Sequence, residues 1–196
     1  YLEKLIENNP DKALSTWVLF AIFFGTFVLL INFAITKLVN KSEWLRKQVM
    51  GQRFIEGYWI QKVEDESLDF KTAIYSLIAI AYDGECLQVV GESFSVDGRP
   101  TANFFSKSSS LDNYALRYPF SVQTFERTDK KIFGVTKLVF TQTQSKGFPR
   151  RYIGYVNSNL RDKAVAVSGL RIDKKKFKGV DTAEERRALI QEFLND

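Results

Sequence analysis

From Ala13 to Thr36 the chain reads ALSTWVLFAIFFGTFVLLINFAIT, with no charged residue. A helix of that length rises roughly 36 Å, enough to cross a hydrocarbon core about 30 Å thick with some tilt. Core helices of soluble domains are usually shorter and seldom apolar on every side. A cleavable leader fits no better. The polar segment Tyr1–Lys12 precedes the run, and no small-residue cleavage site follows Thr36, where the chain continues KLVNKSEWLRK. The expectation is a transmembrane helix over residues 13–36, with Trp17 at headgroup level. The first residue is Tyr rather than Met, so an earlier span has room to precede it.

Flanking charge sets the expected orientation. Lys37, Lys41, Arg46, Lys47 and Arg53 follow the span against a single Glu43, whereas Glu3, Glu7 and Asp11 outnumber Lys4 and Lys12 before it. Basic residues stay on the cytoplasmic side, which places the C-terminal portion in the cytoplasm and residues 1–12 outside it. A lone Cys86 admits no intrachain disulfide and suits a reducing compartment. Residues 37–53 keep a helical pattern, expected to extend the membrane helix as a basic juxtamembrane segment able to meet anionic headgroups.

Beyond Phe54 the texture changes to short runs rich in Val, Ile, Thr, Tyr and Phe. The pattern predicts eight strands, at about residues 54–63, 70–82, 85–96, 101–108, 114–127, 132–144, 150–158 and 163–173. Turn chemistry fills the gaps: Asp83-Gly84, Asp97-Gly98-Arg99-Pro100, Leu111-Asp112-Asn113, Thr128-Asp129-Lys130, Lys146-Gly147 and Asn159. Connections this short make successive strands antiparallel neighbours. In the fifth run Tyr114, Leu116, Tyr118, Phe120 and Val122 share one face, opposite Arg117, Ser121 and Gln123. In the sixth, Phe133, Val135 and Val139 oppose Thr136 and Gln142.

Eight such strands can close into a barrel over residues 54–176, which removes free edges; a two-sheet sandwich is the competing architecture. After Lys174-Lys175-Lys176, residues 177–196 hold a short amphipathic helix opened by Asp181-Thr182-Ala183-Glu184. It is placed to cap a barrel mouth or pack on a partner. The expected fold is thus a membrane-anchored all-β domain: a transmembrane helix, an eight-stranded antiparallel barrel and a C-terminal helix. Gly57-Tyr58-Trp59 resembles the Gly-x-Trp opening of lipocalin-type barrels, in which case Trp59 plugs the barrel floor.

The sequence contains no histidine, which removes Ser-His-Asp and Cys-His nucleophiles and histidine-based metal sites. It also lacks phosphate-cradling G-x-x-x-x-G-K-[ST] and G-x-G-x-x-G loops. The acidic stretch Glu64-Asp65-Glu66 with Asp69 could attract a cation, but such clusters are usually just solvated. No enzymatic activity, cofactor or metal is expected. Much of the basic excess (net charge +5) lies near the span or in the lysine run, where lipid explains it as well as a nucleic-acid polymer would.

Hydrophobic span, basic juxtamembrane helix and compact cytoplasmic barrel together resemble a family of bacterial antiphage effectors. These are the members of the cyclic-oligonucleotide-based (CBASS) systems in which two transmembrane helices precede a β-strand-rich domain. Only one span is visible here. The resemblance implies a bacterial inner-membrane protein that binds a cyclic dinucleotide, oligomerises and disrupts the membrane. Such a ligand wants arginines for its phosphates and aromatics for its bases. Candidates are Arg117, Tyr118, Arg150, Arg151, Tyr152 and Tyr155, with Thr141, Thr143 and Arg171 as secondary polar groups. Arg151 and Tyr155 share one strand face, Arg150 and Tyr152 the other, and the pattern leaves open which points inward. Gly25 and Asn32 are candidates for helix association within lipid. The alternatives are a membrane-tethered lipocalin-like carrier of an apolar ligand, or a structural scaffold.

A topology reporter fused after Asp196 is expected to be active in the cytoplasm; activity only outside it would invert the assigned orientation.

Overall fold

The computed structural model describes residues 10–64, 73–125, 131–141, 147–160 and 162–195. Most of the acidic stretch (Asp65, Glu66, Asp69), the Thr128–Lys130 turn, Lys146, Gln142 and Thr143 lie outside these residues. The chain divides into two compact units, residues 1–46 and 47–196.

The first unit holds helix α1 (Pro10–Lys41). Residues 15–41 form one helix long and apolar enough to span a membrane. Side chains from Ser15 to Leu38 are exposed on every side, so this is not the buried core helix of a soluble domain. The helix runs on into the basic segment only as far as Lys41. It stops at Ser42, whose hydroxyl accepts from the Leu45 backbone N–H at 3.3 Å and starts helix α2 (Glu43–Met50). Arg46 ties back to the Asn40 carbonyl at 2.7 Å, satisfying a helix-terminal acceptor. A 3₁₀ turn, Gly51–Arg53, follows.

The second unit is a closed antiparallel barrel. Its strands are β1 (Gly57–Glu64), β2 (Ile74–Tyr82), β3 (Leu87–Ser95), β4 (Pro100–Ser106), β5 (Ser110–Asp112), β6 (Ala115–Thr124), β7 (Ile132–Phe140), β8 (Arg151–Ser158) and β9 (Val165–Ile172). Strand order is β4-β3-β2-β1-β9-β8-β7-β6-β5, and pairing of β4 with β6 closes eight strands into a ring. The three-residue β5 is an addition to the sequence expectation. It forms where a turn is predicted, because the chain past Ser106 pairs again with the start of β6, Asp112 opposite Ala115.

Alternation sorts side chains in and out. Trp59, Ile78, Val89, Leu116, Tyr118, Leu138, Tyr152 and Val167 belong to the interior cluster. The expected parity holds for β6 and is reversed for the apolar set of β7. Phe133, Val135 and Val139 are exposed, while Thr136 and Leu138 are buried. The register explains this: Leu138 lies opposite inward Leu116, and Val139 opposite Ala115. Strand β7 is apolar on both faces, so periodicity could not choose between them.

The floor is sealed by Trp59 and the segment before it. Trp59 is fully buried, donates its indole N–H to the Ile55 carbonyl at 3.2 Å, and packs on Phe140 and Tyr152 at centroid distances of 5.1 and 5.3 Å. Over it lies Arg171, the last inward residue of β9 and the partner of Trp59 across the β1–β9 ladder. Its guanidinium stands 5.4 Å from the Trp59 ring and donates to the carbonyls of Phe54 (3.3 Å) and Glu56. Gly57 makes room for it. With φ at +139°, a side chain there would be strained, and its Cβ would lie 2.9 Å from the guanidinium. The Gly-x-Trp signature is therefore a floor device: glycine admits the arginine, and the arginine covers the tryptophan.

The C-terminal helices, α3 (Lys174–Lys178) and α4 (Ala183–Asn195), do not cap a mouth. They cover the outer wall of β9, β1, β2 and β3. Leu189 and Ile190 are buried against outward Ile60, Tyr75, Leu77 and Phe94. Thr182 and Glu185 form a reciprocal capping box: the Glu185 N–H donates to the Thr182 hydroxyl (3.3 Å) and the Thr182 N–H to the Glu185 carboxylate (2.8 Å). The Thr182 N–H, the Thr182 hydroxyl and the Asp181 N–H all donate to the Glu185 carboxylate and hold it below the usual range. Arg186 clamps the helix to β3 through Glu92 at 3.2 Å.

Replacing Arg171 with Met is expected to lower the stability of the barrel by about 2–4 kcal/mol. It leaves the floor carbonyls without donors and removes the cation over the rings. Arg171→Lys should recover only part of this, since lysine lacks the planar fork. Denaturant unfolding checks both; an unaltered midpoint for Arg171→Met would show that the floor does not need its cation.

Candidate functional site in the barrel lumen

The lower half of the barrel is solid with aromatic and aliphatic side chains, and the upper half is not. Toward the strand ends at Val63, Ile74, Thr124, Ile132, Ser158 and Val165 lies a cavity of about 280 Å³. Phe104, Phe120 and Val122 supply rings and aliphatic surface. Gln61, Ser76, Ser93, Thr101, Thr124, Thr136 and Ser158 supply neutral hydrogen-bonding groups, and none of the lining residues is charged. Strand parity causes this mixture: serine and threonine occupy inward positions near the mouth, whereas Trp59, Leu116 and Leu138 occupy them near the floor.

The polar groups are organised. Ser76 and Ser93, cross-strand partners, share a hydrogen bond of 2.9 Å. The Tyr152 hydroxyl donates to Gln61 Oε1 at 2.9 Å, joining the floor to the cavity wall. Tyr118 lies at the base of the cavity, hydrogen-bonded to Thr136. Burial pushes both phenols well above their ordinary value; the neighbouring Tyr118 adds to the shift at Tyr152, and the Thr136 bond partly offsets that at Tyr118. Both stay neutral and able to donate at physiological pH.

No known protein family and no curated protein matches this chain. Among solved structures it is similar to a de novo designed fluorescence-activating β-barrel. The identity is 14%, covering 62% of this chain and 96% of the designed one, with a TM-score of 0.39. A likeness this slight has no bearing on function.

The residues singled out from the sequence fall in four places. Tyr118 and Tyr152 point into the barrel. Arg117, Arg151, Tyr155 and Thr141 are exposed on the outer wall. Arg117 aligns with Lys137 and Tyr155 in one cross-strand row, and Arg151 adjoins Thr141 at the end of the β7–β8 ladder. At the floor, Arg171 is engaged as described, and the Arg150 carbonyl accepts from its backbone N–H at 2.7 Å. In α1, nothing stands within 4 Å of a Cβ built on Gly25, and Thr26 returns its hydroxyl to the Ile22 carbonyl at 2.8 Å.

The structure thus separates the candidate arginines from the cavity. Sequence reasoning passed over the lumen hydroxyls. Their signal was serine or threonine at the inward parity of β2, β3, β6, β7 and β8, visible only once register is known. Among the described residues no cluster of acidic or cysteine side chains has metal-binding geometry.

The buried phenols give a pH signature. A group whose pKa is raised on folding contributes stability fully present below about pH 10 and lost as pH rises toward its folded value. Tyrosinate absorbance should show Tyr118 and Tyr152 ionising only as the barrel unfolds, with Tyr75, also raised by burial, titrating late as well. Tyr118→Phe should remove one late-titrating phenol; if all eight tyrosines ionise together near pH 10, the sealed interior is wrong.

Proposed function

We propose that this chain is a membrane-anchored receptor whose barrel takes a cyclic dinucleotide into its lumen and thereby controls assembly of the attached helix. This is the working mode of the antiphage effectors it resembles in layout. The observation that carries the reading is a cavity of about 280 Å³ in which hydroxyls and aromatic rings face one another at one end of an otherwise solid barrel. Phe104 and Phe120 offer faces for base stacking, worth about 1–3 kcal/mol per base. Phosphodiesters can accept from Ser76, Ser93, Thr101 and Thr136, and hydrogen bonds to a charged acceptor contribute about 1.5–3 kcal/mol each. The output is mechanical. Ligand changes how barrels associate, and association brings together spans in which Gly25 permits close approach and Asn32 offers an amide to a partner. Membrane failure in the infected cell is the proposed consequence, with the barrel on the cytoplasmic side of a bacterial inner membrane.

One observation favours a second reading. The cavity is lined mainly by apolar side chains and by no charged one, which suits an uncharged apolar ligand held by a tethered carrier.

Calorimetry on the full-length protein in detergent separates the two. A cyclic dinucleotide is expected to bind at micromolar affinity or better, about −8 kcal/mol. Ala102→Trp, which fills the lumen, should abolish binding, and Phe104→Ala should weaken it by about 1–3 kcal/mol. Asn32→Leu should preserve binding while reducing ligand-dependent assembly and membrane damage. Heat from an uncharged lipid such as a long-chain alcohol or a monoacylglycerol, with none across a panel of cyclic dinucleotides, would replace the receptor reading with the carrier.

A further inference from the structure

The outer wall of the barrel is apolar on two sides, and α4 covers only one of them. On the other side, β7 presents Phe133 (58% exposed), Val135 and Val139, β8 presents Ile153 (66% exposed) and Tyr155, and β4 adds Phe105. Register makes this one surface. Pro119, Val135 and Asn157 form one cross-strand row, Arg117, Lys137 and Tyr155 the next, and Ala115, Val139 and Ile153 a third. With about half of each large side chain exposed, the patch is on the order of 400 Å², at the upper end of what ordinary monomers leave uncovered.

We propose that the outer wall of β6, β7 and β8 is a lipid-docking surface that rests on the anionic leaflet of the bilayer. Charge selects this occupant. These three strands contain no Asp or Glu, and their outward positions include Arg117, Lys137 and Arg151. A basic residue close to an anionic membrane raises partitioning about fivefold, and long basic side chains lay their stems on apolar surface while their heads reach phosphate. Phe133, Ile153 and Tyr155 supply the groups that enter the headgroup–acyl boundary, the pairing used by interfacial segments.

A second copy of the chain suits the wall less well. A two-fold contact through it would set Arg117 and Lys137 against their own copies at the centre of the interface, where lysine is disfavoured and like charges repel. The bilayer is also close by sequence. The candidate span reaches Lys41 and the barrel unit begins at Lys47, so docking is intramolecular at high effective concentration. The inference goes beyond the ligand reading: it holds whatever fills the lumen, and failure to bind cyclic dinucleotides leaves it standing.

The test uses the full-length chain carrying Cys86→Ser, with a fluorophore at Ile153→Cys, in single-copy nanodiscs containing acyl-brominated lipids. With phosphatidylglycerol present, the probe at position 153 should be quenched at least threefold more than one at Gln191→Cys on the opposite, helix-covered wall. Replacing phosphatidylglycerol by phosphatidylcholine, or combining Arg117→Glu with Lys137→Glu, should bring it down to the position-191 level. High salt should do the same without any substitution, which guards against a variant that merely misfolds. Equal quenching at both positions would overturn the proposal, as would quenching at 153 that ignores lipid charge. So would protection of position 153 by crosslinkable contact between copies in detergent.

Discussion

The ladder between β4 and β6 is the contact on which the barrel depends. Ala102–Phe105 pairs with Ser121–Thr124 and joins the ends of what is otherwise an open sheet. Closure leaves the ring no free edge to pair with other chains. It also commits every alternate residue of eight strands to a narrow interior, where side chains must mesh or be absent. Gly169 shows the consequence, since a Cβ there would lie 2.1 Å from the Tyr152 ring. The space a side chain would take on β9 is the space in which Tyr152 reaches Gln61.

Within that ring, the two ends are built from different chemistry. Near the floor, Arg171, Trp59, Phe140 and Tyr152 exclude water and satisfy the carbonyls of the entering chain. Near the mouth, hydroxyls replace large side chains and leave a cavity. Tyr118 and Tyr152 stand at the boundary, neutral because burial disfavours their anions. The cavity therefore has a fixed base and a hydroxylated wall, the rigid-scaffold arrangement that binding sites favour.

The outside is divided as well. One wall carries the apolar residues that α4 buries, with Arg186 and the capping box fixing the helix in place. The other carries exposed apolar and basic residues. The same three strands, β6, β7 and β8, line the cavity with one face and form this wall with the other.

The apolar span, the eight strands and their antiparallel order were legible in the sequence, because charge-free length and period-two alternation bounded by turn residues depend only on neighbours along the chain. The Gly57-Tyr58-Trp59 floor was legible as a pattern, although its reason, Arg171 arriving from β9, was not. The direction of β7 could not be read, since Phe133, Val135 and Val139 alternate with Leu138 and Phe140, and both sets are apolar. Arg117 is legible as lying opposite Tyr118 on β6, whereas on β8 the pattern leaves open whether Arg151 and Tyr155 or Tyr152 point inward. Register across the ladders puts Arg117, Arg151 and Tyr155 on the outer wall and Tyr118 and Tyr152 inside. The sequence by itself determined which segments are strands and which helix is apolar on every side. Only the closed ring decided what faces the lumen, because inside and outside are properties of closure and not of any one strand.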